Sequence, residues 1–393
     1  MKICTPFTRS ENDVTMRRTG LTFGWKKPLA AAALLVCGTG AGVAQLLLPD
    51  APYLPNPVRV VSTVPTNGDV NPYGVAFIPK NFIYGAGKER PGDILVANFN
   101  NKNNMQGTGT TIVRIPAAGG SSTAPPIVFY QGTSAAQGMS TALGVLQYGF
   151  VVVGSLPTTD GTSATAQAGS LLVINNVGKL IQKITDPNID GPWDMTLVDH
   201  GDTAVAYVTN SLNGTIARIN FRVNTNGLTK LSSTVIASGY FHRGDPATLF
   251  AAPCGSVYDA KTDQLYVASS ADNLVFAVPN ASTRTSSDGP GYIVYQDFGH
   301  LHGALALAWA ANGNLLVSNS DGINPLATEP SEIVEFTTDG NFVKQLPMDP
   351  AQGGSFGLNT YTNGETSVFA AVDDNQNTLT IWTLNVATPA PVF

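Results

Sequence analysis

From about residue 58 onward the chain repeats itself six times, and this periodicity limits the fold more than any other feature of its 393 residues. Each unit opens on small or turn-forming residues that run into an apolar strand. The openings are Asn71-Pro72-Tyr73-Gly74-Val75-Ala76-Phe77, Ala142-Leu143-Gly144-Val145-Leu146, Gly191-Pro192-Trp193-Asp194-Met195, Ala252-Pro253-Cys254-Gly255-Ser256-Val257, Ala304-Leu305-Ala306-Leu307-Ala308 and Ser355-Phe356-Gly357-Leu358. Aligned on Gly74, Gly144, Asp194, Gly255, Ala306 and Gly357, they stand 70, 50, 61, 51 and 51 residues apart. Each opening is followed by a second strand (93–98, 150–154, 205–210, 265–269, 315–319, 368–373) and a third (111–115, 171–175, 215–219, 274–278, 332–336, 378–384). Five units add a fourth strand (127–130, 180–184, 233–237, 292–296, 342–346), and the sixth lacks one. Residues 58–64 form a strand-like run that belongs to no unit. A four-stranded unit at a period near 50 residues is a propeller blade. The expectation is an all-β, six-bladed β-propeller over 58–385, its ring closed by the N-terminal strand, with 386–393 as a tail.

Composition agrees. Charged residues are 12% of the chain, about half the usual share of roughly 25%, and 40 glycines and 26 prolines supply turns. Residues 1–44 hold six of the 21 basic residues and two of the 27 acidic ones, which leaves the remainder at −10. An acidic body without a basic stripe excludes nucleic acid as a partner, because phosphate binding needs clustered Lys and Arg. Arg17, Arg18, Lys26 and Lys27 precede a mostly apolar run over 28–48, with small residues at Gly42 and Ala44. This pattern predicts a signal peptide over 1–44, with an uncleaved anchor as the alternative. Export to the periplasm or outside the cell follows, with membrane contact only through an uncleaved N-terminus. Residues 45–57 are proline-rich and read as an extended spacer. Cys4 and Cys37 lie in the signal region, so a cleaved chain keeps only Cys254 and has no internal disulfide.

The opening pattern, the Gly-x-Leu-x-Val-x-Asn of Gly313-Asn314-Leu315-Leu316-Val317-Ser318-Asn319 and the close Ile333-Val334-Glu335-Phe336-Thr337-Thr338-Asp339-Gly340 resemble NHL repeats. The resemblance covers 58–385 and extends to uncharacterised exported bacterial propellers. It implies a monomeric propeller that acts as a binding or scaffold module. Propellers of related shape include calcium-dependent lactonases, which hold the ion with Glu, Asn and Asp. By that likeness Asn98, Asn210, Asn319 and Asp373, at the ends of successive second strands, would line a site. The chain departs from that pattern in having no glutamate at the matching early position.

Loops that lead into the inner strands, and loops between second and third strands, share one face of such a propeller, here called upper. A protein or small-molecule ligand is expected there. His242, His300 and His302 fall in lead-in loops. His300 and His302 would point the same way in an extended segment, as a zinc or calcium-class divalent metal site would need. Asp194, with Asp190 beside Gly-Pro-Trp, is a candidate acid–base residue. Tyr73, Trp193 and Phe356 occupy equivalent positions at the channel rim, where rings stack on a ligand or fill the space between blades. Arg243 lies in the same loop as His242. The polar loops 98–110 and 156–169 form a lid, a partner surface or plain solvated loops. Two function classes fit: a non-catalytic extracytoplasmic binding module, and a metal-dependent, lactonase-like hydrolase or lyase.

Overall fold

The computed structural model describes residues 52–54, 59–81, 87–116, 126–133, 137–319, 330–364 and 366–385. The signal region 1–44, most of the spacer and the tail lie outside the described residues. Six four-stranded antiparallel sheets form. Their inner strands are Val70–Phe77, Met139–Val145, Pro192–Asp199, Pro253–Asp259, Ala304–Trp309 and Ser355–Asn363. Each inner strand neighbours the next, and the sixth returns to the first. The chain is a closed six-bladed β-propeller.

Closure follows the expected route. Arg59–Ser62 pairs with Thr378–Asn385 as the outer strand of blade 6, Arg59 opposite Ile381 and Ser62 opposite Thr378. A strap just upstream reinforces it. The fully buried Glu335 carboxylate of blade 5 accepts hydrogen bonds from Tyr53 N at 2.8 Å, Leu54 N at 3.2 Å, Asn312 Nδ2 at 2.8 Å and Asn314 Nδ2 at 2.7 Å. Lys344 Nζ donates to Leu54 O, and the Tyr53 hydroxyl pairs with Ser367 Oγ of blade 6. Residues 53 and 54 are thus buried against blades 5 and 6.

The core consists of six seams between blades. Alternate residues of a second strand enter opposite seams: Ile94 and Val96 pack towards blade 6, Leu95 and Ala97 towards blade 2. Leu315 and Val317 likewise face blade 4, and Leu316 faces blade 6. Both faces of each blade are buried, so these strands read as unbroken apolar runs instead of alternating ones.

Every inner strand carries a bulge at the same place. The pairing to its second strand slips between Pro72 and Val75, Met139 and Leu143, Pro192 and Asp194, Pro253 and Ser256, Ala304 and Leu307, and Ser355 and Leu358. This register corrects the second opening: Leu143 is the counterpart of Val75, so Gly144 is displaced and Thr141 and Ala142 stand where the other blades have Gly74 or Gly255. Blade 3 ends in a long hairpin, Thr215–Asn224 with Gly227–Ser238, and a small extra hairpin follows, Arg243–Asp245 with Leu249–Ala251. Among the described residues no helix is long and apolar enough to cross a membrane.

Glu89 is an anomaly. It is fully buried, neither carboxyl oxygen has a hydrogen-bond partner among the described residues, and its Oε2 lies 3.1 Å from where a side chain on Gly149 would begin. Burial pushes its pKa up to about 8.

Two outcomes follow. Glu335→Ala leaves four buried donors without their acceptor and should lower stability by about 3 kcal/mol or more in chemical denaturation. For Glu89, the unfolded chain loses the proton near pH 4.3 and the folded chain only near 8. Stability therefore drains as pH rises through that window, by at most about 5 kcal/mol. Glu89→Gln should flatten the stability profile between those pH values, and an unchanged slope would show that Glu89 does not titrate there.

Candidate functional site

The bulge residues converge on the propeller axis at its upper end. Tyr73 stacks between Phe99, at 4.5 Å, and Phe356, at 4.3 Å, both with interplanar angles of 13°. Trp193 meets Tyr73 and Phe99 edge-on at 5.7 Å and Phe250 at 6.3 Å. Cys254, Leu305 and Leu249 complete the cluster. Tyr73, Trp193 and Phe356 are 1%, 0% and 3% exposed, so the rim aromatics of the sequence reading form a plug and offer no open ring face.

A cap lies over this plug. Leu249 holds φ at 62°, a left-handed conformation that costs an L-residue about 1–2 kcal/mol. Its burial with Phe250 in the plug holds it there. Gln106 Nε2 donates to Pro246 O at 3.3 Å, Thr158 Oγ1 donates to Gln106 O at 2.5 Å and Thr158 N donates to Gly107 O at 3.1 Å. The two polar loops and the extra hairpin are thereby tied together over the upper face. Arg243, on that hairpin, is exposed and pairs with Asp245 at 3.2 Å.

The histidines are separated. His242 is exposed, and its Nδ1 lies 3.2 Å from Tyr240 O. His300 Nδ1 lies 2.7 Å from Asp297 Oδ2, and its ring stacks on Phe342 at 3.8 Å. His302 is buried at 1% exposure. Asn319 explains the divergence: its Nδ2 donates to His300 O and its Oδ1 accepts from His302 N, which fixes the two backbones while one ring faces outward and the other inward. Among the described residues no three His, Cys, Asp or Glu side chains come together to hold a metal.

Asn319 is one of a set. Asn210 grips its own lead-in loop in the same way, Nδ2 to Asn188 O and Oδ1 from Asp190 N. Asn98 Nδ2 donates to Thr63 O, but the residue two further on is Pro65, which has no N–H, and Asn98 Oδ1 is left without a partner. These asparagines latch loops to blades. Asp373, in the corresponding place in blade 6, is pushed up to about 6 by burial and then by Asp349. Burial and Asp373 raise Asp374 well above the usual carboxylate range.

Below the plug the central channel holds a cavity of 330 Å³ lined by all six inner strands. Phe77, Trp309 and Tyr361 stand half-buried at its lower mouth, Phe77 stacked on Tyr361 at 5.6 Å. Asp194 stands at the closed upper end, one residue after the Trp193 of the plug. The corresponding positions of four other blades carry Gly74, Gly255, Ala306 and Gly357. Space explains the glycines: a Cβ on Gly357 would lie 1.7 Å from Tyr73 O, and one on Gly255 2.4 Å from Leu307 N. Blade 3 alone places a carboxylate there. Asp194 Oδ1 accepts from Met195 N at 2.7 Å, and the Ser256 N–H also bonds the carboxylate. Burial dominates over these donors and pushes its pKa up to about 7. Thr141, from blade 2, is 7% exposed, and its Oγ1 has no hydrogen-bond partner among the described residues. Of the expected site residues, Asp194 lines this cavity. Thr141, Asn359 and the rim residues Phe77, Trp309 and Tyr361 escape sequence reasoning, because only the ring brings them together.

No protein-family model and no curated protein matches the chain. Solved structures similar in fold include the calcium-binding protein regucalcin from Agrobacterium tumefaciens, at 12% identity over 85% of this chain and 96% of that one, with a TM-score of 0.48. A luciferin-regenerating enzyme matches at 10% identity over 85% and 100%, with a TM-score of 0.47. A protein of unknown function from Desulfotomaculum acetoxidans matches at 12% over 82% and 88%, with a TM-score of 0.44. The six-bladed architecture rests on this chain's own strand pairing, not on these likenesses.

Asp194→Asn keeps an acceptor for the backbone donors and removes the buried charge. Folding holds the carboxyl protonated up to about pH 7, whereas the unfolded chain releases the proton near 3.9. The variant should match the parent below pH 4, gain on it between 4 and 7, and level off above at an advantage of at most about 4 kcal/mol. Parallel profiles from pH 4 to 8 in denaturant melts would contradict the assignment.

Proposed function

We propose that the chain is an exported, non-catalytic binding module that takes a small ligand into the central channel through its lower mouth. One observation carries the reading: the upper end is sealed by a buried aromatic plug under an interlocked cap, while the channel beneath it keeps a half-open cavity with a lone carboxylate at its closed end. A small concave site with a few polar groups, one of them strongly perturbed, is the usual form of a ligand pocket. The cap of loops 98–110, 156–169 and 239–252 supplies a rigid polar surface for a protein partner. The metal-dependent hydrolase reading draws less support, because the three candidate histidines diverge.

The test is a fragment screen by NMR on isotope-labelled protein. Hits should shift signals of Thr141, Asp194, Asn359 and the Trp309 indole. Hits confined to the upper cap, or a channel that no fragment perturbs, would overturn the reading. Bound metal at one equivalent per chain, with ester or lactone turnover, would favour the enzyme.

A further inference from the structure

Resting on that channel reading, we propose that the ligand is a small organic cation whose ammonium group binds the Asp194 carboxylate. The lining decides the charge. Among the channel residues Asp194 carries the sole carboxyl, and no Lys, Arg or His accompanies it. An anion entering the channel would therefore meet like charge and no counter-charge. A neutral ligand would leave the carboxyl in the protonated form that burial favours and gain no charge pairing from it. An ammonium group supplies the missing partner, and a charge-assisted hydrogen bond is stronger than one between neutral groups.

Acceptors for an ammonium group remain on two blades. Two backbone N–H groups, of Met195 and Ser256, occupy part of the Asp194 carboxylate, which has about four acceptor sites. Thr141 Oγ1, buried and without a partner, is a second acceptor on the neighbouring blade. The mouth suits an organic body: the half-buried rings of Phe77, Tyr361 and Trp309 line it and supply apolar and π surface for apolar atoms and residual positive charge. A cavity of 330 Å³ lies at the small end of ligand pockets, about 300–1,000 Å³. The titratable groups of the plug beside Asp194 are Cys254 and Tyr73, both held neutral by burial, with the thiol pushed up to about 12 and the phenol raised well above its usual value; Tyr361, at the far mouth, is also raised by burial.

The experiment is calorimetry on the full chain with three probes of matched size: 2-phenylethylamine, 2-phenylethanol and phenylacetate. The amine should bind at least tenfold more tightly than the alcohol, and phenylacetate should not bind. Because the ionised carboxylate is the binding form, amine affinity should fall about tenfold per pH unit below 7 and level off above it. Asp194→Asn should lose tenfold or more in amine affinity while its melting shows an intact fold, and Thr141→Val should weaken binding less. Asp160→Asn, on the exposed cap, should bind as the parent does. Amine binding that survives Asp194→Asn, or that ignores pH between 5 and 8, overturns the proposal. Tighter binding of the alcohol, with a shifted Trp309 indole signal, overturns the ligand class and leaves the channel reading standing. Failure of all three probes to bind overturns the class, and the fragment screen then decides the channel by itself.

Discussion

The structure depends on how closely six inner strands approach one another at the axis. Each strand enters on a bulge, and a bulge bends its strand and re-aims the side chains around it. The bend sends one side chain per blade to the axis and leaves the next position almost no room. Glycine at 74, 255 and 357 answers that lack of room, since a Cβ there would overlap the backbone of the adjoining blade. The residue before each glycine then decides what fills the axis. In this chain it is Tyr73, Cys254 or Phe356, with Trp193 and Leu305 in the matching places. The aromatic plug thus follows from bulges that aim a side chain at the axis, with glycine meeting the steric limit in three blades, and it closes the end at which a polar set of residues would have made an open site.

Closure follows from a different rule. A ring of blades leaves its last sheet one strand short, and an unpaired edge invites wrong partners. Arg59–Ser62 fills that edge from the other end of the chain. Four residues of pairing make a short seal, and the strap adds to it from a separate source. Glu335 gathers two backbone and two side-chain donors inside blade 5, so its oxygens are satisfied by hydrogen bonds. The contrast with Glu89 is instructive. Both carboxylates are fully buried, but one has four donors and the other has none. Burial alone therefore does not fix the cost of a carboxylate; the donors around it do.

Strand order, blade number and closure were legible in the sequence because both faces of every blade are buried and the apolar runs repeat with little variation. The second opening was misaligned by its own glycine. Leu143-Gly144 looks like the other openings, but Met139–Val145 carries two extra residues in its bulge where the other blades carry one, a difference that only the pairing reveals. The hairpin of Arg243–Asp245 with Leu249–Ala251 was missed because its three-residue strands are too short to show a period. The histidine pair failed for a related reason. Alternation predicts a common face for residues two apart in a strand, but residues 300–302 form a loop, and Asn319 holds their backbone out of the extended form. Asp194 was legible in position and not in role: the alignment put it among glycines and an alanine, and that discrepancy was the available signal for a channel carboxylate.

The fold itself does not call for a charge at residue 194. Asparagine would accept the same backbone N–H bonds from Met195 and Ser256 without the desolvation that raises the aspartate, and glycine or alanine suffices at four corresponding positions. A side chain that costs stability, sits where its neighbours are small and points into a cavity is accounted for by what the cavity receives. The plug sharpens this argument. With the upper end closed, nothing that enters from that side can reach Asp194, so its partner must come through the mouth ringed by Phe77, Trp309 and Tyr361. Shape and charge then select together: the aromatic mouth admits a compact organic body, and the single carboxylate at the far end rewards one that carries positive charge inward.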